Sequence, residues 1–248
     1  MQGTSVIVTG GTRGIGAGIA RAFLAAGADV LVCARREPDE LPRAGDGRVA
    51  SFVAADVRDP EAACRVVKFA EEKYGGLDVV VSNAGGSPPV AAATASPRLH
   101  AKVIELNLIA PLHIAQAAYQ ALARRKGSII MVGSVSGTRP SPGTAAYGAA
   151  KAGLHHLVTS LAIEWAPDVR VNAVIPGMVA TEAAGDHYGG AQDAAAATIP
   201  MGRMATPDDV AGACLFLASP AAAYISGASI AVHGGGEPPA FLTAVRPG

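Results

Sequence analysis

The sequence predicts an α/β fold: one doubly wound domain, a seven-stranded parallel sheet with helices on both faces. Three observations carry that expectation. Short apolar, β-branched runs alternate with longer segments of helical period, the signature of βαβ units. The runs are continuously apolar and not alternating, as strands covered on both faces require. No Pro/Ser-rich linker or internal repeat divides the 248 residues, so 1–248 reads as a single domain.

The strands are expected at 5–8, 29–33, 48–53, 77–82, 128–132, 170–174 and 228–232, and the helices at 15–26, 60–74, 99–124, 145–165 and 207–217. In the first helix Ile15, Ile19, Ala22, Phe23 and Ala26 keep the i, i+3, i+4, i+7 spacing of one buried face. Residues 181–206 are small and polar, and a loop of that length inside a domain is expected to act as a substrate lid. Residues 237–248, with Pro238, Pro239 and Pro247, form a C-terminal tail.

Composition removes several partner classes. Twenty Lys and Arg balance twenty Asp and Glu, so no basic footprint for nucleic acid or an anionic membrane is present. Hydrophobic residues make up 50% and aromatics 4%, so small and branched aliphatic groups must fill the interior. The richest apolar run, 22–34, is broken by Gly27 and Asp29 and is too short to span a bilayer. A strand is expected within five residues of Met1, leaving no room for a leader, so a soluble, cytoplasmic protein is expected. Cys33, Cys64 and Cys214 lack CxxC spacing and nearby His, so neither a disulfide framework nor a metal site is expected.

Strand one runs into Thr9-Gly10-Gly11-Thr12-Arg13-Gly14-Ile15-Gly16 and then into a helix. Glycines there let the backbone approach a pyrophosphate, and a helix N-terminus offers free N–H groups to its charge. The spacing Thr-Gly-x-x-x-Gly-Ile-Gly resembles that of the short-chain dehydrogenase/reductase family, and the resemblance spans almost the whole chain. It implies a Rossmann fold, a nicotinamide cofactor, and hydride transfer between that cofactor and a carbonyl or secondary alcohol of a small molecule. By the same resemblance Asp56-Val57 contacts the adenine. Asn83-Ala84-Gly85 is similar to the family's Asn-Asn-Ala-Gly motif, with Ser82 in place of the first Asn. Pro176-Gly177-Met178-Val179-Ala180-Thr181 resembles the Pro-Gly-x-x-x-Thr segment, which implies that Pro176, Gly177, Val179 and Thr181 border the nicotinamide. The cofactor set is thus Gly10, Thr12, Arg13, Gly14, Ile15, Gly16, Arg35, Arg36, Asp56, Val57, Asn83, Ala84, Gly85, Tyr147, Lys151, Pro176, Gly177, Val179 and Thr181.

Charge at the end of strand two chooses between NAD and NADP. An acid there would accept hydrogen bonds from the ribose 2′-hydroxyl and repel a 2′-phosphate. The position holds Ala34, followed by Arg35 and Arg36, with Arg13 in the glycine turn, so NADP(H) is expected. The alternative is that both arginines are merely solvated and Glu37 handles the ribose.

Tyr147 and Lys151 stand four apart in a helical segment and project from one face, about 5–6 Å apart along the axis. A cation roughly 4 Å from a phenol, at an effective dielectric near 20, is worth about 4 kcal/mol. That is enough to lower the phenol pKa by two to three units, to a useful range. Ser134, in Gly133-Ser134-Val135-Ser136, follows strand five, where its hydroxyl can donate to a substrate carbonyl; Ser136 is its nearest rival. Pro111 has no N–H, so the carbonyl of Asn107 loses its i+4 partner and a kink is expected there. In the resembling family the matching Asn holds a water linking the lysine to solvent. The implied catalytic set is Asn107, Ser134, Tyr147 and Lys151.

His155 and His156 are adjacent on a helix and read as packing or surface residues, and His113 and His233 as core or surface. His187 and Tyr188 fall in the lid, where contact with substrate is open. Arg124-Arg125-Lys126 reads as the positive end of a helix. The segment from Ile199 to Met204, followed by Pro207-Asp208-Asp209-Val210-Ala211, is similar to that of 3-oxoacyl-acyl-carrier-protein reductases, which makes such an enzyme the alternative. Arg125 sits where a carrier dock would need a cation, whereas Pro167-Asp168 supplies no second one. A non-catalytic NADP sensor ranks below both. The family likeness also implies a homo-oligomer, a tetramer before a dimer, built partly on 230–232 and Gly234-Gly235-Gly236.

Overall fold

The computed structural model describes residues 1–182 and 191–239. Seven parallel strands form one sheet: β1 (Ser5–Thr9), β2 (Asp29–Ala34), β3 (Ser51–Ala54), β4 (Val79–Ser82), β5 (Ser128–Val132), β6 (Arg170–Pro176) and β7 (Ser229–Val232). Their spatial order is β3-β2-β1-β4-β5-β6-β7, so the winding reverses between β1 and β4. A crevice at the carboxyl ends of the strands is required at such a reversal.

Both faces of the sheet are covered, which is why the central strands are apolar throughout. Ile7, Val80, Ile129 and Met131 point to a layer formed by α2 (Pro60–Tyr74), α4 (Ala110–Ala123) and α5 (Ala145–Glu164). Val6, Val8, Val81 and Ile130 point to the opposite layer of α1 (Gly14–Ala25) and α7 (Pro207–Ala218), which meet through Ile19, Phe23, Val210 and Leu217. Edge strands β3 and β7 are only partly buried.

Three elements depart from the sequence expectation. The third strand starts at Ser51 and not at 48, because Arg43 and Val49 form an antiparallel bridge and Ala50 donates its N–H to Pro42. The fourth starts at Val79 and not at 77, because the Asp78 carboxylate turns back to accept from the N–H and hydroxyl of Ser5. The helix expected over 99–124 is α3 (Pro97–Ile104) joined to α4 by one π turn, Glu105–Ile109. Pro111 is the cause: with no N–H to give, it forces a wider turn, and the chain absorbs the mismatch as a π bulge where a kink was expected.

The lid segment is not wholly irregular. Its described part carries a short helix, α6 (Gln192–Ala197), and Ile199 and Met204 pack against Met178 and Ala196. A backbone bridge between Val179 and Ala205 ties its two ends together. His187 and Tyr188, and the tail beyond residue 239, lie outside the described residues. Among the described residues no helix is long and apolar enough to cross a membrane.

Candidate active site

The glycine turn leaves β1 with Gly10 at φ +62° and Gly14 at φ +52°, left-handed values that a side chain would strain. A Cβ on Gly16 would stand 2.3 Å from the Gly10 carbonyl oxygen and 2.5 Å from Asn83 Nδ2, so the turn closes on α1 only with glycine there. Arg13 caps α1 without a side-chain hydrogen bond, and no acid stands in the first turn. The first-turn N–H groups are left for an anion, unlike those of α2 and α7, whose caps Asp59 and Thr206 accept from their own helices.

Asn83 holds this turn against β4. Its amide donates to the carbonyls of Thr9 (3.0 Å) and Gly10 (3.2 Å), while the Thr9 hydroxyl accepts from the N–H groups of Asn83 and Ala84, each at 3.0 Å. Gly14 faces Thr181 at van der Waals distance, which brings the segment after β6 to the turn. A pyrophosphate cradle formed of backbone N–H groups, walled by glycine, fits a dinucleotide.

Arg13, Arg35 and Arg36, the arginines expected to meet the ribose phosphate, are all exposed. Asp56 is held in a bidentate pair by Arg58, whose Nε and Nη2 both donate to the carboxylate. That hydrogen bonding holds the Asp56 carboxyl below the usual carboxylate range, with the charge of Arg35 adding to it. Val57 is buried beside it. Arg58 was not among the sequence candidates; its signal, a cation two residues beyond an acid at a strand end, is too common to single out.

Ser134, Tyr147, Lys151 and Asn107 converge at the carboxyl ends of β4 and β5. The Ser134 hydroxyl oxygen accepts the N–H of Ser136 at 3.1 Å, and the hydroxyl stands near enough to the Tyr147 phenol to draw its pKa downward. Ser136 instead accepts from the Ser141 hydroxyl at 3.1 Å, within a hydroxyl cluster that includes Thr144. Lys151 is 3% exposed, its ammonium donates to the Val132 carbonyl at 2.8 Å, and it stands 5.7 Å from the centre of the Tyr147 ring. Desolvation lowers its pKa to about 8.

The same burial raises the Tyr147 pKa above its ordinary value, with the Ser134 hydroxyl pulling partly the other way. This corrects the sequence expectation of a lowered phenol pKa. The lysine is itself desolvated and in part neutral, so its field does not outweigh the loss of water around the phenol.

Asn107, fully buried in the π turn, also does something the sequence did not reveal. Its side-chain oxygen accepts the Gly86 N–H and its amide donates to the Gly86 and Val103 carbonyls, all at 2.9 Å. It thereby clamps the strand-four loop over Lys151: a Cβ on Gly85 would come 2.7 Å from Asn107 and 3.5 Å from the lysine nitrogen.

His155, read as packing, touches the serine: its Nε2 accepts the Ser134 N–H at 3.4 Å. Beside the serine turn opens a cavity of about 420 Å3, lined by Val135, Arg139, Met178, Ile199, His233 and Glu237. That is the size of a small-molecule site. Gly177, just past the end of β6, lines it as well.

A family profile described as Enoyl-(Acyl carrier protein) reductase matches residues 10–237. The chain is 37% identical to an uncharacterized oxidoreductase of Mycobacterium tuberculosis, over 92% of this chain and 90% of that one. This chain belongs to the short-chain dehydrogenase/reductase family. It is also 35% identical to a 3-oxoacyl-(acyl-carrier-protein) reductase of Vibrio cholerae, over 95% and 98% of the two chains. Among solved structures it is similar to ligand-free aldohexose dehydrogenase of Thermoplasma acidophilum, with a TM-score of 0.88, 28% identity and 94% of both chains covered. Short-chain dehydrogenase/reductases are oxidoreductases that use a nicotinamide dinucleotide, and the glycine turn, Asn83 and the segment after β6 form a cradle of the right chemistry for one.

Proposed function

We propose that this chain is an NADP(H)-dependent reductase of a small-molecule carbonyl, oxidising the matching secondary alcohol in reverse. The observation that carries the reading is the buried Lys151, whose ammonium donates to Val132 at 2.8 Å and stands 5.7 Å from the Tyr147 ring, with the Ser134 hydroxyl beside that phenol.

The reduced nicotinamide, when bound, supplies the hydride to the carbonyl carbon. The chain supplies the rest. Ser134 has an oxygen lone pair engaged by the Ser136 N–H, which leaves its proton to donate to the substrate oxygen. Tyr147, its pKa raised by burial, stays protonated at neutral pH and gives that proton to the same oxygen, the form that reduction requires. Lys151 stabilises the phenolate left behind, and Asn107 holds the Gly85–Gly86 wall that keeps solvent from the lysine. The main-chain carbonyl of Asn107, which Pro111 leaves without its usual partner, is the place for a water that returns the proton.

NADP(H) over NAD(H) rests on charge: three exposed arginines, Arg13, Arg35 and Arg36, and no acid at Ala34. Self-association, a tetramer before a dimer, is part of the same reading, supported by the family likeness. The test is loss of NADPH absorbance with a panel of ketones, aldehydes and sugars, run beside NADH. No turnover of any carbonyl by protein that binds NADPH overturns the reading.

A second reading, reduction of 3-oxoacyl groups on a carrier protein, is favoured by the likeness to the Vibrio enzyme. The basic run gives it little help, because Arg124 pairs with Glu71, Arg125 with Asp78 and Lys126 with Asp168. Activity on an acetoacetyl thioester that increases when the acyl group rides on a carrier protein decides for it.

A further inference from the structure

The serine turn is seated on an imidazole. His155 rises from α5 one helical turn after Lys151, and its ring fills the space between the two glycines that bracket the turn. A Cβ on Gly133 would come 2.3 Å from Nε2, and one on Gly137 would come 2.7 Å from Cε1, so the ring is admitted only because both positions lack side chains. Its Nε2 accepts the N–H of Ser134 at 3.4 Å, while the hydroxyl oxygen of the same serine accepts the N–H of Ser136 at 3.1 Å. The serine is thus held on both sides of its Cα, by main chain and by side chain.

We propose that His155 is a positioning residue for Ser134: its neutral imidazole fixes the serine's peptide and through it aims the hydroxyl at the substrate oxygen. A ring nitrogen accepts only when it carries no proton, so His155 must be the tautomer with its proton on Nδ1. Burial, and next the charge of Lys151, lower the His155 pKa and keep this form present at neutral pH. Lys151 is the charge that acts on the ring, from its own helix; the end of β5 and the turn Val135–Gly137 place only Gly, Ser and Val against it. Protonation of His155 in acid would turn Nε2 into a donor facing the Ser134 N–H, and the turn would lose its anchor.

The inference rests on the reductase reading, and the experiment separates the two. His155→Leu keeps much of the volume without an acceptor; His155→Gln keeps an oxygen that can reach the serine N–H. The leucine variant is expected to lose kcat about 10- to 100-fold, the cost of a misplaced catalytic group, with KM for NADPH within about twofold of wild type. The glutamine variant is expected to recover most of that loss and to lack the acid limb that His155 gives the wild-type kcat profile. A leucine variant with wild-type kcat, or a glutamine variant no better than leucine, overturns the proposal. One measurement needs neither turnover nor a folded variant: in wild-type protein with 15N-labelled serine, the Ser134 amide should shift with pH at the midpoint of the His155 imidazole. A Ser134 amide that does not move while the His155 ring signals themselves titrate sinks the role of His155 even if the enzyme reduces carbonyls, while an amide that titrates with the ring in a protein that reduces none sinks only the reductase reading.

Discussion

The two ends of the nucleotide crevice are built by opposite means. At the end proposed for the nicotinamide Asn107 and Lys151 are 0% and 3% exposed, and their polar atoms are tied to the backbone of the strand-four loop and of β5. At the other end Arg13, Arg35 and Arg36 stand in solvent, and only the Asp56–Arg58 pair has fixed geometry. The buried end controls chemistry through position and desolvation, where a small displacement is costly. Under the proposed reading the exposed end would select among cofactors through charge, which water and salt weaken. Substitutions at the two ends should therefore differ in size and in kind.

The sharpest contrast comes from Tyr147→Phe, which removes one oxygen and leaves the packing of α5 intact. The turnover rate is expected to fall by about 10²–10⁴-fold, the usual worth of a positioned general acid, while the NADPH dissociation constant from fluorescence titration stays close to wild type. Equal losses in both would mean that Tyr147 holds the cofactor and does not act on substrate.

Lys151 gives the buried end a signature in stability. Its folded pKa of about 8 lies below the ordinary lysine value of 10.5, so between those values the unfolded chain binds more protons than the folded one, and stability rises with pH. The rise amounts to about 1 kcal/mol between pH 7 and 9. The buried thiols of Cys33 and Cys214, pushed up to about 12 by burial, oppose it from about pH 9 upward, since the unfolded chain ionises them first. The measurement is therefore a difference: urea midpoints of cofactor-free wild type should gain on those of Lys151→Met as pH rises from 7 to 9. Parallel curves would show that the lysine is not desolvated.

What the sequence could show follows from the same division. Apolar runs, the glycine turn and the spacing of Tyr147 and Lys151 are local patterns, and the seven-stranded sheet and its order agree with what they imply. The details that escaped are long-range. Asp78 leaves β4 because Ser5, 73 residues away, offers it two donors. The role of the Asn107 side chain depends on Gly86, and that of His155 on two glycines about twenty residues upstream. Pro111 announced a break in the helix, but whether a kink or a π turn absorbs it is decided by what packs around Asn107. The raised phenol pKa escaped for the same reason: spacing gives the distance to a charge and says nothing of the water excluded around both groups.

Gly16 lies where the two ends meet, and Gly16→Ala tests whether the cradle itself is rigid. The added methyl would overlap the Gly10 carbonyl, which is main chain, and the Asn83 amide, which is held by its hydrogen bonds to Thr9 and Gly10. A loss of about 1–3 kcal/mol in unfolding free energy is expected from such overpacking, together with weaker binding of NADPH and NADH alike. A variant that discriminates between the two nucleotides would place the effect at the ribose phosphate and not at the pyrophosphate.

The smallest effects belong to the exposed arginines, and their form matters more than their size. A charge-assisted bond to a phosphate is worth about 1.5–3 kcal/mol where it is well shielded, and less in solvent. Arg35→Ala with Arg36→Ala should therefore raise KM for NADPH by about tenfold, leave KM for NADH within about twofold, and hardly change kcat. Added salt should erode the NADPH preference of the wild type and not that of the double variant, because an exposed ion pair is screened and an absent one is not. Equal weakening of both nucleotides would point to the shared ribose and adenine, with Glu37 as the group that reads them, and would move the choice of cofactor away from the arginines.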